Sequence, residues 1–275
     1  MTATLSPGGE RTGPPDEDLR PEWRTVAGFP YWAVLIALIV SWFAYLTFFV
    51  DDYNDAWEFI RPGFSTTIRA TLYAFGIALV IGLLGGLGRL SGNVVFRTVA
   101  RTYIEFIRGV PPLPLLLFMT YVILPDVARA LGGDGQTLST EMRGVISLAL
   151  IYGGYMAEVF RGGIQSVPRG QVEAGRSLGL SGRATMQSIV LPQAMRAIIP
   201  PLGNDFIAIL KDTSLLSLLA IRELTQNARL YQATNFNPRT TYVVLTFCYL
   251  ILVIGLSLAL NAFERWMTRD QKDAR

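Results

Sequence analysis

The chain has 275 residues, 51% of them hydrophobic and only 16% charged, with a mean hydropathy of +0.37. A soluble domain carries about 25% charged residues; here polar surface is scarce and the apolar residues come in blocks, which points to a membrane protein. There is no histidine and a single cysteine, Cys248, which excludes a disulfide framework, a Cys/His zinc site and any histidine-based triad or proton relay.

In chain order, residues 1–29 hold four of the fifteen prolines (Pro7, Pro14, Pro15, Pro21) among mixed charges. They are expected to form a disordered cytoplasmic tail, because such a composition cannot bury a core. Pro30 to Val50 follows as 21 residues without a charge, enough to cross a hydrocarbon core of roughly 30 Å and too long for the apolar part of a signal peptide. Ala70 to Gly88 and Gly109 to Pro125 read as the second and third spans. Gly144 to Ala157 has only 14 residues and must run on through Glu158. Ala197 to Leu210 is also short and contains Asp205, whereas Thr240 to Phe263 gives 24 uncharged residues. Four spans are clear and two are interrupted.

Lys and Arg collect on the cytoplasmic side of short loops. With the N-terminus inside, Arg11, Arg20, Arg24, Arg89, Arg97, Arg101, Arg108, Arg161, Arg169, Arg176, Arg183, Arg196, Arg265, Arg269, Lys272 and Arg275 fall inside, 16 of the 24 basic residues. The first outer loop is acidic (Asp51, Asp52, Asp55, Glu58). The expectation is an all-α membrane protein of six transmembrane helices with both ends cytoplasmic. Its net charge of +3 then answers to topology and anionic headgroups, not to nucleic acid.

The polar stretch from Arg161 to Pro192 interrupts this pattern. Pro168 suits the first turn of a helix over Arg169 to Leu178, and Gly179 suits the left-handed residue that ends it. Ser181 can cap a second short helix reaching Val190, with Pro192 opening the next element. Gly170 and Gly175 each weaken the first helix by about 1 kcal/mol relative to alanine, which makes sense where another backbone must come close. A helical hairpin outside the bilayer results. By itself it fits either an interfacial hairpin resting on lipid or a docking point for a soluble partner.

Glu173-Ala174-Gly175, Gly179 after three further residues, then Ile189, Leu191 and Pro192 resemble the signature of ABC importer permeases, with Gly175 where that family has a second alanine. Tyr155 to Gly163, Glu105 to Pro111 and Leu210 to Leu215 are similar to three further segments of the branch that takes up polar amino acids such as glutamine, histidine and arginine. The resemblance covers roughly Gly63 to Met267. It implies a five-helix type I importer core over residues 63–267, preceded by an extra N-terminal helix (30–50) and followed by a cytoplasmic tail (268–275). It further implies that Gly170, Glu173, Ala174, Gly175, Gly179, Ile189, Leu191 and Pro192 form coupling helices seated on a cytoplasmic ATP-binding subunit. The remaining partners would be a second permease subunit, identical or sister, and an extracytoplasmic amino-acid-binding protein, in a bacterial cytoplasmic membrane. No cofactor is expected on this chain and ATP/Mg belongs to the partner: the sequence has no Gly-x-x-x-x-Gly-Lys-Ser/Thr run, and its lysines are Lys211 and Lys272.

Ionisable residues within spans are costly, by about 2.5–3.5 kcal/mol at the bilayer centre, and so mark function or pairing. Asp205, beside Asn204, follows Pro200-Pro201, which should break the helical ladder and free carbonyls nearby. Asp205 and those carbonyls could hold a substrate ammonium; alternatively Asp205 pairs with another span or caps the helix restarted after the prolines. Tyr155 also qualifies for the substrate path. Lys211 and Asp212 mark the outer end of the fifth span, as contacts for the delivering binding protein or the substrate, or as interfacial anchors. Glu105 with Arg108, and Glu158 with Arg161, repeat an i, i+3 spacing that favours pairing at the inner mouth. The glycines of spans two and four suit close helix packing. The function expected is that of the pore subunit of an ATP-driven, binding-protein-dependent amino-acid importer working by alternating access. The alternative is a transporter or channel driven by an ion gradient, against which the absence of histidine and of visible internal repeats weighs.

Overall fold

The structure is a computed structural model that describes residues 31–135 and 137–269; the expectations for residues 1–29 and for the tail beyond Arg269 lie outside the described residues. Among the described residues every regular element is helical: α1 (Tyr31–Phe49), α2 (Asp51–Ile60), α3 (Gly63–Leu90), α4 (Val94–Gly109), α5 (Pro112–Phe118), α6 (Leu124–Ala130), α7 (Thr140–Gln165), α8 (Arg169–Ser177), α9 (Gly182–Thr185), α10 (Leu191–Asp212), α11 (Leu224–Asn235) and α12 (Pro238–Arg269). By internal contacts the chain divides after Trp42. Along α1 only Thr47 is buried.

Among the described residues, four helical segments are long and apolar enough to cross a membrane: α1, α3, the run Pro112–Ala130, and α12. Helices α7 and α10, with 26 and 22 residues, reach about 39 and 33 Å at 1.5 Å per residue. They are long enough to span but carry charges, as the interrupted apolar runs foreshadow.

Two prolines are accommodated by the same device. A π-helical turn over Met119–Ile123 precedes Pro125, and another over Met186–Val190 precedes Pro192. A proline inside a helix lacks its N–H and collides with the carbonyl four residues back. The wider turn moves that carbonyl away, and the residue just before each proline donates to position i−5: Leu124 N–H to Met119 O and Leu191 N–H to Met186 O. Both helices therefore continue. The chain breaks instead at Val110-Pro111, whose extended backbone separates α4 from α5.

Helices α3 and α7 lie backbone to backbone. A Cβ on Gly82 would stand 2.6 Å from Met156 Cβ, and one on Gly86 2.8 Å from Phe160 Cβ and 2.9 Å from Ala157 O. From the other side, Gly153 admits Ile81 and Gly154 admits Ile107 of α4. Gly76 has no such neighbour; it lines an apolar groove of about 750 Å³ between α3 and the start of α7. Around this seam the core gathers Leu115 and Leu116 of α5, Leu148, Ile151 and Met156 of α7, and Ile198 and Ile209 of α10. A buried hydroxyl pair, Thr120 with Ser147 at 2.8 Å, joins the first π turn to α7.

The start of α11 forms a second knot. Glu223, fully buried, accepts the backbone N–H groups of Thr225 (2.9 Å) and Gln226 (2.7 Å) and the Tyr249 hydroxyl of α12 (2.9 Å). Leu224 N–H donates to Thr67 Oγ1 of α3 at 3.4 Å, and Asn227 Nδ2 donates to the Ile60 carbonyl at 3.5 Å. Gly63 lets the α11 backbone in, since a Cβ there would lie 2.6 Å from Leu224 N.

Two expectations follow. Gly82→Ala should destabilise by about 1–3 kcal/mol through overpacking, while Gly76→Ala, inside α3 with open space around it, should stabilise by up to about 1 kcal/mol; equal thermal melts of the two variants in detergent would refute the α3–α7 seam. Burial pushes the Glu223 carboxyl from its ordinary 4.5 to about 7, against the pull of its two backbone donors and the Tyr249 and Thr225 hydroxyls. The folded protein thus holds this proton more tightly than the unfolded chain, and the resulting stability is full below pH 4.5 and lost as pH rises through about 7. Glu223→Gln should flatten that decline, on the order of 2–3 kcal/mol, in melting curves recorded across the same window.

Candidate functional site

The polar insertion folds as a hairpin of two short helices. Pro168 sits at the N-cap of α8, one residue ahead of the first turn, and its carbonyl accepts Gln171 N–H at 3.0 Å. At the other end Gly179 takes φ +82°, and Leu180 N–H reaches back to Gly175 O at 3.2 Å. That geometry closes a helix with a left-handed residue, for which glycine is suited. Ser181 Oγ then caps α9 by accepting Ala184 N–H at 3.3 Å.

The signature positions divide by what they face. Gly170, Glu173, Ala174, Gly179, Leu191 and Pro192 are exposed. Gly175 is buried under Ile189, whose Cδ1 occupies the place of a Cβ, so the substitution of glycine for alanine is used inside the hairpin. Gly170 has open space around it, and nothing within the chain calls for glycine there. The sequence reading passed over Leu178, which stands 84% exposed at the tip of the hairpin. A bare leucine in a polar stretch was its only signal.

The hairpin is joined unequally to the two long helices. Residues 166–168 interrupt the path from α7, whereas α9, the π turn and α10 run on without a break. The hairpin is therefore helically continuous with α10 and not with α7.

Above it, on α7, Glu158 is held from two sides: Arg161 lies 2.6 Å from Oε2, and Arg89 at the end of α3 lies 2.8 Å from Oε1, close but without hydrogen-bond alignment. Arg89 also approaches Glu105 of α4 at 3.5 Å. The expected Glu158–Arg161 pair is formed. The expected Glu105–Arg108 pair is replaced by Glu105–Arg89, because α3 brings a guanidinium from outside the i, i+3 pattern. Arg89 was missed for the same reason: its partners are 16 and 69 positions away.

The structure also corrects the expectation for Pro200-Pro201. Helix α10 passes through both without interruption. The carbonyls that lose their donors, Arg196 and Ala197, lie eight or nine residues before Asp205, about 12–13 Å along the axis. They cannot share one ammonium with it. Asp205 instead looks to the α7–α10 seam, in electrostatic reach of Tyr152. Its Oδ2 is sealed from solvent and has no hydrogen-bond partner. Two turns on, Asp212 Oδ2 accepts the Tyr152 hydroxyl at 2.8 Å. The Tyr155 ring meets Tyr152 edge-on at 5.6 Å. Lys211 turns the other way, into a groove beside Tyr249 of α12, and Asn204 is exposed. The seam thus collects Tyr152, Tyr155, Asp205 and Asp212, and leaves out Lys211. Tyr152 gives no local signal of this role, since its partner is 60 positions away.

A bundle of membrane-crossing helices, with carboxylates along one of them and a polar hairpin built into that same helix, defines a membrane permease. The chain belongs to the family of binding-protein-dependent transport system inner membrane components, which matches residues 72–269. It is 35% identical over 219 residues to the glutamine transport system permease protein of Escherichia coli, covering 78% of this chain and 97% of that one. It is 34% identical over 209 residues to the histidine/lysine/arginine/ornithine transport system permease protein of Salmonella typhimurium, covering 75% and 92%. Among solved structures, an amino acid ABC transporter with histidines matches with a TM-score of 0.68 at 32% identity, over 76% of this chain and 94% of that one. The chain is a transport subunit and not an enzyme; in this family ATP is hydrolysed on a separate subunit.

A double-mutant cycle on Tyr152→Phe and Asp212→Asn should give a coupling of about 1–2 kcal/mol in thermal unfolding, as befits a hydrogen bond to a charged group. Strict additivity would mean that α7 and α10 are not joined there.

Proposed function

We propose that this chain is the pore subunit of an ATP-driven importer of a polar or charged amino acid, working by alternating access. The observation that carries the reading is the hairpin: its signature positions Gly170, Glu173, Ala174 and Gly179 face outward, and it continues without a break into α10, which bears Asp205 and Asp212. A groove in a cytoplasmic ATP-binding subunit would take the exposed face, with Leu178 as its apolar anchor, and closure of the ATPase dimer would move α10. The amino-acid substrate is supported by the transport names of the relatives and of the structural neighbour. Within the seam, the unpartnered Asp205 carboxylate suits a substrate ammonium, and Asn204, Tyr155 and Asp212 border the path. The Arg89–Glu158–Arg161 cluster, with Glu105 and Arg108, closes the inner mouth.

In this reading residues 63–267 form a type I permease domain and residues 30–50 an additional helix. Counting α7 and α10 with the four apolar segments gives six spans, with both termini cytoplasmic, in a bacterial cytoplasmic membrane. A second permease subunit, two ATP-binding subunits and an extracytoplasmic amino-acid-binding protein complete the assembly. ATP and Mg are bound by the ATPase and none by this chain.

The test is purification from native membranes in mild detergent, followed by uptake of labelled glutamine, histidine and arginine into vesicles holding the recovered complex. A stoichiometric ATPase subunit should accompany the chain and be lost in Gly170→Trp, whose site is open and whose fold should be intact. Asp205→Asn should keep the ATPase subunit yet lower uptake about 10- to 100-fold, the loss of one charge-assisted contact. A chain recovered alone that still transports under an ion gradient would refute the importer reading.

A further inference from the structure

Three polar side chains meet at one phenol that belongs to neither the seam nor the hairpin. The Tyr249 hydroxyl of α12 lies 2.9 Å from Glu223 Oε2 and 3.0 Å from Thr225 Oγ1 at the start of α11, and the Thr213 side chain is a third polar neighbour. Thr213 is fully buried and follows Asp212, the last residue of α10. Its Oγ1 donates to the Leu210 carbonyl at 2.7 Å. Asp212 in turn accepts the Tyr152 hydroxyl of α7. A run of polar contacts thus leads from Glu223 to within one residue of the α7–α10 seam.

The protons along this run can be counted. A hydroxyl has one proton to give and two lone pairs to accept with, and an ionised carboxylate only accepts. The Thr213 proton is engaged by the Leu210 carbonyl. With Glu223 ionised, the Tyr249 proton goes to its carboxylate and the Thr225 proton to the Tyr249 oxygen. Tyr249 and Thr213 then face each other as two oxygens with no proton between them. With Glu223 protonated, its O–H donates to the Tyr249 oxygen, and the Tyr249 proton turns to Thr213 Oγ1, whose lone pairs are free. One proton on Glu223 therefore closes the gap between α11 and α10, and every other bond in the run is kept.

The surroundings of Glu223 favour that proton. It is fully buried, which disfavours the charged form of a carboxyl without a cation beside it. Charged groups do stand on the elements packed around it: Asp51, Asp52, Asp55 and Glu58 on α2 with Arg61 after it, Arg69 on α3, Lys211 and Asp212 on α10, Arg222 and Arg229 on either side, and Arg239 on α12. None of them acts on its carboxyl, and among the described residues Tyr249 is the one titratable group that faces it. Burial accordingly holds the carboxyl at about 7, where its proton is bound or lost within the ordinary range of pH.

We propose that Glu223 is a positioning residue for transport: when it carries its proton, Tyr249 donates to Thr213 and fixes the end of α10 remote from the hairpin, and with it Asp212 at the seam. The bond from α12 to α10 is a property of the fold alone, while its effect on uptake rests on the transport function proposed above. Loss of the proton frees that end of α10, and a substrate then meets a less ordered seam and binds more weakly.

The test uses the full chain with its co-purifying subunits in vesicles, at about pH 6 and about pH 8, on either side of the Glu223 transition at about 7. One readout is amide exchange of residues 209–216 by mass spectrometry, corrected for the intrinsic pH dependence of exchange. The other is the KM and maximal rate of ATP-driven uptake of labelled glutamine and arginine, whose side chains do not titrate in that window. For wild type, exchange and KM should both rise about 3- to 10-fold at the higher pH, the loss of one net hydrogen bond, with the maximal rate within about twofold. Tyr249→Phe should show the raised values at both pH values. Glu223→Gln, which keeps an N–H donor toward Tyr249, should show the low values at both. A role confined to folding would move the two variants the same way, and would act on maximal rate instead of KM. Thr213→Ser should behave as wild type and Thr213→Val as Tyr249→Phe. Wild-type exchange at 209–216 that does not change with pH, or a Tyr249→Phe variant that keeps the wild-type profile, would overturn the proposal, and neither result needs the Glu223 variant to fold. If wild type shows no ATP-driven uptake, the transport function fails, and exchange at 209–216 still decides the bond from Tyr249 to Thr213.

Discussion

The architecture rests on how closely α3 and α7 approach. Between helices in a bilayer there is no hydrophobic gain, because lipid is as apolar as the side chains it would replace, so association depends on close contact and on hydrogen bonds. Gly82 and Gly86 on α3 and Gly153 and Gly154 on α7 allow that contact. Helix α7 then becomes the member against which the others are set. It receives the Tyr103 hydroxyl of α4 at the Leu150 carbonyl, the π turn through Ser147 and Thr120, and Ile198 of α10 over Gly163. Remove the glycines and the separation of α3 and α7 grows, and with it every contact that α7 orients.

The π turns serve the same economy. A helix stopped at Pro125 or Pro192 would leave unpaired carbonyls at membrane depth or at its edge, each costing several kcal/mol where water is absent. Widening one turn before each proline keeps the ladder nearly complete. In the second case it also preserves a continuous helical path from α9 through the π turn to α10. The link from α7 to the hairpin has no such continuity. The hairpin is thus continuous in helix with one long helix and joined to the other by residues 166–168 outside any helix.

The local features were legible in the sequence because their causes are local. Gly179 in the left-handed region, the Ser181 cap and the exposed signature face all follow from residues within one or two turns, and the charge-interrupted runs announced α7 and α10. What could not be read depends on distance along the chain. Arg89 reaches Glu158 across 69 positions and Tyr152 reaches Asp212 across 60, and no periodicity carries that information. Pro200-Pro201 misled for a different reason. Proline removes a donor and adds a clash, but in a packed membrane helix the surroundings can absorb both without a break, so the freed carbonyls stay far from Asp205. The knot at Glu223 joins α11 to α2, α3 and α12 and was equally hidden, since an isolated glutamate before an apolar run reads as no more than a cap.

These asymmetries bear on where work can be done. Near the hairpin, α7 is tied to α3 and α4 by Arg89, Glu158 and Glu105, with side chains only 19–22% exposed at the Arg89–Glu158 contact, where solvent screens charges less than at a surface pair. Helix α10 is joined to α7 by apolar packing and by the hydrogen bond from Tyr152 to Asp212. Near the hairpin the polar ties thus fall on α7 and not on α10. Any energy source can shift such an equilibrium only through contacts that differ between its two states. The α7–α10 seam holds a contact of that kind in Asp205, whose buried Oδ2 lacks a partner at a cost of about 1–3 kcal/mol. A cation entering the seam removes that cost, and so does a shift of α10 that returns the oxygen to water. Under the proposed function, occupancy of the seam and the position of α10 would be linked through this one carboxylate, the minimum that coupling a bound solute to a moving helix requires.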